Sequence, residues 1–310
     1  MINIELSAHQ QQKISSEYYD RLIEWINKKR LWTGLGNASA NKMMRYMRIH
    51  AREYVLAPAL KLRERSSVFS NQYLAEKNAY LAASKSNKPN TSYGIFLKRM
   101  RDIYKGFMQD NYEKDEINGY WLMEKLGVRV CPYCNRNYTI TIKTKDFKVR
   151  PEFDHFFPEA LHPSLILSFY NFIPSCPQCN HLKRVQELDI NPWIGYKKRN
   201  RPRFRIDVSN GDFPEKPLVL IENENDNTKK LGVKELYNEH VDYVKDILNK
   251  IQAYNPATYY AILKDFQGIV HTEADLERMI WGNYASLAEA RNRPFAKLTA
   301  DILEQYKKYL

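Results

Sequence analysis

A chain of 310 residues with 44% hydrophobic content can bury one large core or roughly two to three small ones. Lys and Arg number 48 against 36 Asp and Glu, a net charge of +12, which either draws polyanions such as nucleic acid or serves only solubility. No run approaches the roughly 18 apolar residues of a membrane span, and MINIELSAHQQQK has no signal-peptide core, so a cytoplasmic protein is expected.

Twenty-two tyrosines against 11 glycines favour a compact, largely helical chain. Residues 1–13 read as a loose start. A helix is expected over 16–31, where Tyr18, Leu22, Trp25 and Ile26 recur at helical spacing behind Ser15 or Ser16 as N-cap. A second helix over 39–57 ends at Pro58. Its Lys42, Arg45, Arg48 and Arg52 make one basic face, either a phosphate contact or a solvated stripe. Residues 66–92 are polar and broken by Pro89. Helices follow over 92–111 and 116–126, the second stopped by Gly127. Residues 1–126 thus read as a helical region.

Residues 127–195 change character. The alternating run 137–143 predicts a strand, with a return strand over 147–154 that delivers Asp154 and His155. A loop with Pro158 and Pro163, an apolar run at 165–169 and a helix over 180–188 complete this part. Residues 196–310 form the third region. It opens with Lys197, Lys198, Arg199, Arg201, Arg203 and Arg205, interleaved with Tyr196 and Phe204, which make either an exposed linker or a nucleic-acid contact. One strand-like run at 218–222 and a polar loop precede helices over 234–254 and 272–281, the latter capped by Thr272. A last helix opens at Pro294.

All four cysteines lie in the central region, as Cys131-Pro-Tyr-Cys134 and Cys176-Pro-Gln-Cys179, separated by residues 135–175. In a reducing compartment two Cys-x-x-Cys pairs are metal ligands before they are disulfides. Four thiolates suit a tetrahedral structural Zn²⁺ with bonds of about 2.3 Å and no open position. A redox pair and an iron–sulfur cluster are the competing readings.

Between and after the pairs sit Asp154, His155, Asn171, Asn180 and Lys183. Hydrolysis of a phosphodiester needs a base for water and a cation for the developing charge. Asp154 supplies a carboxylate and His155 an imidazole, Asn180 can add a carbonyl oxygen for Mg²⁺ or Mn²⁺, and Lys183, one helical turn on, can hold a phosphate oxygen. Neighbours on a strand point to opposite sides, so Asp154 and His155 can share a site only where the strand ends or bends. Alone, an Asp-His step is common and Asn171 reads as a turn residue; their placement around the cysteine pairs makes the set specific.

Residues 128–195 resemble the HNH endonucleases of the ββα-metal type with a four-cysteine zinc frame, and among them the PtuB-like anti-phage effectors of Septu and retron systems. The matching residues are Asp154, His155, Phe156 and Pro158, then Asn171, Phe172 and Pro174, then Cys176, Cys179, Asn180 and Lys183. The resemblance implies an α+β fold, mainly helical, around a ββα-metal core. It implies His155 as general base, Asp154 and Asn180 as ligands of the catalytic metal, Asn171 as the brace that orients His155, and Lys183 at its usual spacing. It implies DNA cut to a 5′-phosphate and a 3′-hydroxyl, and an ATPase partner of the PtuA type. Glu159-Ala160 stands where such proteins usually have Lys-Ser, and Arg184 where they often have Gly, which puts substrate contacts in question. His181 competes with Asn180 for the third position, while His162 reads as a loop residue. RNA cleavage and a non-catalytic zinc-knuckle binding module are the rival functions.

Overall fold

The protein is described here by a computed structural model covering residues 1–109, 118–254, 256–266 and 272–309. Its first helix, α1 (Ala8–Lys28), starts earlier than its apolar spacing suggests, because Ser7 and Gln10 close a reciprocal capping box. Of the residues expected to be a loose start, 8–13 are therefore helical and 1–7 are not, while Tyr18, Leu22 and Ile26 are buried as expected. The helix expected over 39–57 is two, α2 (Ala38–Ile49) and α3 (Ala51–Val55), broken at His50. The polar stretch after Pro58 folds as α4 (Leu62–Gln72) and α5 (Leu74–Ala82). Only Leu62, Ser66, Phe69 and Ser70 of α4 and no residue of α5 are buried, so there is little apolar period to read. Next come α6 (Ser92–Gln109) and α7 (Gly119–Leu126), closed by Gly127 at φ 59. The expected end of the first at 111 and start of the second at 116 fall outside the described residues.

The central region differs from the hairpin the sequence suggests. Only β1 (Ile142–Lys143) and β2 (Lys148–Val149) form that ribbon. The front of the alternating run closes a cysteine turn instead: Val130 bridges Tyr138, and Cys131 N donates to Asn137 O at 2.9 Å. The buried pair is β3 (Glu152–His155) with β4 (Phe172–Ser175), antiparallel, Asp154 opposite Ile173 and His155 opposite Phe172. Every residue of β4 is buried, so it shows no alternation in sequence. The helix α8 (Pro177–Lys183) follows at once, starting and ending earlier than the expected 180–188 because Pro177 sits in its first turn behind Cys176.

The run expected as a basic linker is partly a strand. Arg203 and Arg205 of β5 (Arg203–Ile206) alternate with buried Phe204 and Ile206, and the strand pairs with β6 (Val219–Glu222), the run the sequence marks as strand-like. Then come α9 (Asp226–Lys230), α10 (Val233–Asn238), α11 (Val241–Ala253) and α12 (Pro256–Asp265), with the helix expected over 234–254 divided at Glu239–His240. Thr272 caps α13 (Glu273–Trp281) as expected, and α14 (Ala296–Gln305) closes the chain's helical part. The fold is α+β and mainly helical, 55% helix with 8% strand. Among the described residues no helix is long and apolar enough to cross a membrane.

One buried cluster joins all of this. Tyr18 of α1 packs among Phe107 of α6, Phe172 of β4 and Phe169 in the turn before it, with ring centroids 5.7–5.9 Å apart. Asn135, fully buried at φ 55, receives Lys297 N on its side-chain oxygen at 2.9 Å and so caps α14 from the cysteine turn. Helix α4 is tied to the central region by a polar chain: Ser66 Oγ lies 2.7 Å from His162 Nδ1, and His162 Nε2 lies 2.7 Å from Glu187 Oε1. His162→Ala leaves the buried Ser66 hydroxyl unpaired and is expected to cost about 1–3 kcal/mol in urea unfolding; an unchanged midpoint would mean that this chain does not hold α4 in place.

Candidate metal centre and active-site cleft

Two turns bring the four cysteines together. In the first, Asn135 takes the left-handed conformation, Asn135 N donates to Cys131 O at 2.8 Å, and Arg136 N donates to Cys134 Sγ at 3.3 Å. In the second, Cys176 is the N-cap of α8 and Cys179 lies in its first turn. The four sulfurs are buried, unbonded to one another and within 4.8 Å of each other, with Cys134 and Cys176 at 4.0 Å. Four sulfurs about 2.3 Å from one central ion would stand about 3.8 Å apart, while a disulfide needs about 2.05 Å. Four thiolates this close and this buried repel one another, so they do not coexist here without a cation among them. The set can hold a metal ion such as zinc, with no position left open for chemistry. Among the described residues no other group of three or more His, Cys, Asp or Glu is placed to do so.

A cleft of about 250 Å³ is lined by Asp154, His155 and Asn180 together with Arg101, Tyr104, Glu159 and Arg184. The structure thus brings three of the sequence-derived residues to one surface. His155 is the last residue of β3, which is why it and Asp154 can face the same space. A larger cleft of about 410 Å³ beside Trp25 and Ile103 holds no imidazole.

Asp154 is buried and doubly held. Tyr133 Oη donates to its Oδ2 at 2.6 Å, and Lys183 Nζ donates to its Oδ1 at 3.0 Å and to His155 O at 2.7 Å. Lys183 is wholly buried, which corrects the expectation that it reaches a phosphate: its ammonium is spent on fixing Asp154 and the β3 backbone. Each Asp154 oxygen keeps a further lone pair for a cation. Asn180 Nδ2 donates to Glu152 Oε2 at 2.6 Å, so its carbonyl oxygen is the end left for a ligand. His181 is exposed and does not line the cleft, which leaves Asn180 as the helix residue there.

His155 is 7% exposed and its ring lies 4.7 Å from that of Tyr104. Its Nε2 lies 2.9 Å from Ile166 O. A carbonyl only accepts, so Nε2 carries the proton and Nδ1 is the bare nitrogen. Burial draws the imidazole down from its ordinary value, and the Glu159 carboxylate opposes this from 3.3 Å. Glu159 is itself held by Arg101 Nε at 2.8 Å. Asn171, fully buried, accepts from Phe157 N at 2.7 Å and donates to Phe157 O and Leu165 O, closing the loop that carries Ile166 O. It ties this loop through its side chain and also ends the single turn Phe169–Asn171, as a turn residue would, with Asn171 N donating to Ser168 O at 3.0 Å.

Arg184, just past α8, has φ 46 and ψ −114, and Gln186 N donates to Lys183 O at 2.8 Å across it. This is the first central position of a type II′ turn, which glycine occupies freely and arginine only at a cost of about 1–3 kcal/mol.

The basic run stays apart from the cleft lining. Lys197, Lys198 and Arg199 are exposed; Arg205 is bonded to Glu222 at 2.9 Å and to the Asp301 carbonyl, and Arg201 lines a separate cleft with Lys297. Six cations that read as one patch are therefore divided between surface and framework.

Sequence reasoning missed Arg101, Tyr104, Tyr133 and Glu152. Arg101 and Tyr104 arrive from α6, far along the chain, with no local signal. Tyr133 had one, its place inside a cysteine turn. Compared with known proteins, the chain matches no family model, no curated protein and no solved structure.

Removing one partner of a buried ion pair strands the other. Lys183→Met is expected to cost about 3–5 kcal/mol in denaturant unfolding, whereas a phosphate-binding surface lysine would cost almost nothing; a variant as stable as the parent would overturn the clamp on Asp154.

Proposed function

We propose that the chain is a metal-dependent endonuclease of the HNH type, hydrolysing phosphodiester bonds in DNA. The observation that carries the reading is the His155 imidazole, whose Nε2 is fixed by Ile166 O and whose Nδ1 lies 3.3 Å from the Glu159 carboxylate, in a cleft that Asp154 and Asn180 also line. A non-catalytic zinc-knuckle module would have no need of a buried imidazole oriented in this way beside a clamped carboxylate. In this reading the four-cysteine cluster holds structural Zn²⁺ and the β3–β4–α8 unit is the ββα-metal core.

His155 Nδ1 takes the proton of the attacking water. The imidazolium that forms is stabilised by Glu159, which Arg101 holds in place. Asn171 keeps the loop bearing Ile166 O closed, so the ring does not turn. Tyr133 and Lys183 hold the Asp154 carboxylate in one orientation, and Glu152 turns the Asn180 amide so that its oxygen is the end available to a cation. A Mg²⁺ or Mn²⁺ ion held by Asp154 and Asn180 would neutralise charge on the phosphate oxygens. The exposed Lys197, Lys198 and Arg199 would add sequence-independent attraction for the backbone. The biological setting proposed is cytoplasmic anti-phage defence with an ATPase partner of the PtuA type, which rests on the resemblance of residues 128–195 alone.

Purified protein with Mg²⁺ or Mn²⁺ is expected to cut plasmid or single-stranded DNA, and His155→Ala to cut about 10²–10⁴-fold more slowly. Cleavage of RNA in place of DNA would keep the chemistry and change the substrate. No cleavage of any of the three, with an ATPase partner present, or equal cleavage by His155→Ala, would end the catalytic reading.

A further inference from the structure

The described cations lining the cleft are Arg101 and Arg184, and they are differently occupied. Arg101 is spent on Glu159. Arg184 donates only Nε, to His181 O at 3.2 Å, and its two terminal nitrogens have no partner among the described residues. That one bond satisfies a carbonyl at the end of α8, a task any C-terminal turn performs with water. It does not account for an arginine where the backbone, at φ 46 and ψ −114, favours glycine. A strained position is kept where something outweighs the strain, and here the strained residue carries the unpaired positive charge on the wall that also bears Asp154, His155 and Asn180.

We infer that Arg184 is a phosphate-binding residue of this cleft, taking the non-bridging oxygens of a nucleic-acid phosphate on its two free nitrogens. The planar guanidinium pairs with a phosphate through two parallel N–H bonds, which a lysine ammonium does not reproduce. With Nε anchored on α8, the fork is already oriented, so less side-chain freedom is lost on binding. Lys183, buried on Asp154, cannot perform this role, and Arg184 is the next residue along the chain. The inference rests on the nuclease reading for the identity of its ligand, but its test does not need turnover.

The test compares Arg184→Gly and Arg184→Lys with the parent, in both wild-type and His155→Ala proteins. Binding of a short fluorescein-labelled DNA duplex and its single strand is measured by anisotropy over a range of salt, without added Mg²⁺ or Mn²⁺. Thermal midpoints and Mn²⁺-dependent plasmid cleavage are measured alongside. Arg184→Gly is expected to melt at the same temperature as the parent or about 2–4 °C higher. It should bind DNA at least several-fold more weakly, with a salt slope shallower by about 0.7–0.9. Arg184→Lys should keep the slope and lose part of the affinity. Unchanged affinity and slope in Arg184→Gly would overturn the phosphate contact, as would a lower melting temperature, which would make Arg184 a structural residue. If the parent cuts DNA while the variant binds it equally well, the nuclease reading stands and this inference falls. If the parent binds DNA through Arg184 but cuts nothing, the contact stands and the nuclease reading falls.

Discussion

Asp154 is a buried carboxylate held from two sides, and each side belongs to one half of the cysteine cluster. Tyr133 lies between Cys131 and Cys134, and Lys183 ends the helix that begins on Cys176 and Cys179. A charge at this depth is tolerated only with donors in place, and here the donors are positioned by the same two turns that a metal ion would join. The cysteine cluster and the cleft are therefore joined by two hydrogen bonds, one from each turn. The first cysteine turn also organises what surrounds it: Asn135 caps α14, Tyr237 Oη donates to Cys134 O at 2.7 Å, and Arg136 reaches Leu236 O, His240 and Gln178. The helices on either side are thus keyed to one small centre.

The cleft combines groups that stabilise the fold with groups that do not. Asn171 and Lys183 are both hydrogen-bonded in the interior, as stable folds require of buried polar groups. His155 keeps one nitrogen without a donor or acceptor of the right kind, because Nδ1 and the Glu159 carboxylate both accept. Arg184 sits in a backbone conformation that costs free energy. His155 and Arg184 both line the same cleft, although strained positions such as Asn223 and unpaired buried atoms such as Tyr93 Oη also occur away from it.

Sequence legibility followed the range of the interaction. The four cysteines were readable because few residue types compete for that chemistry, and the spacing brings each pair together. Asp154, His155 and Asn180 were readable only by their position relative to those cysteines. Arg101 and Tyr104 were invisible, since α6 reaches the cleft through packing on α1 and β4 and carries no local mark of it. Among the helices, α1, α11 and α14 have clean apolar stripes and emerged from the sequence with shifted ends, while α4 and α5 bury too little to show a period. The partner of β3 was misread because β4 is covered on both faces, and β5 because its charged face masked its alternation.

A metal ion held by the four cysteines would fix the cleft. The most direct test of this is the imidazole ¹H–¹⁵N spectrum of histidine-labelled protein, recorded before and after a strong chelator removes the metal. The account predicts a slowly exchanging Nε2–H from His155, bonded to Ile166 O, that disappears on stripping and returns with Zn²⁺. The same protected signal, unchanged in fully metal-free protein, would contradict it.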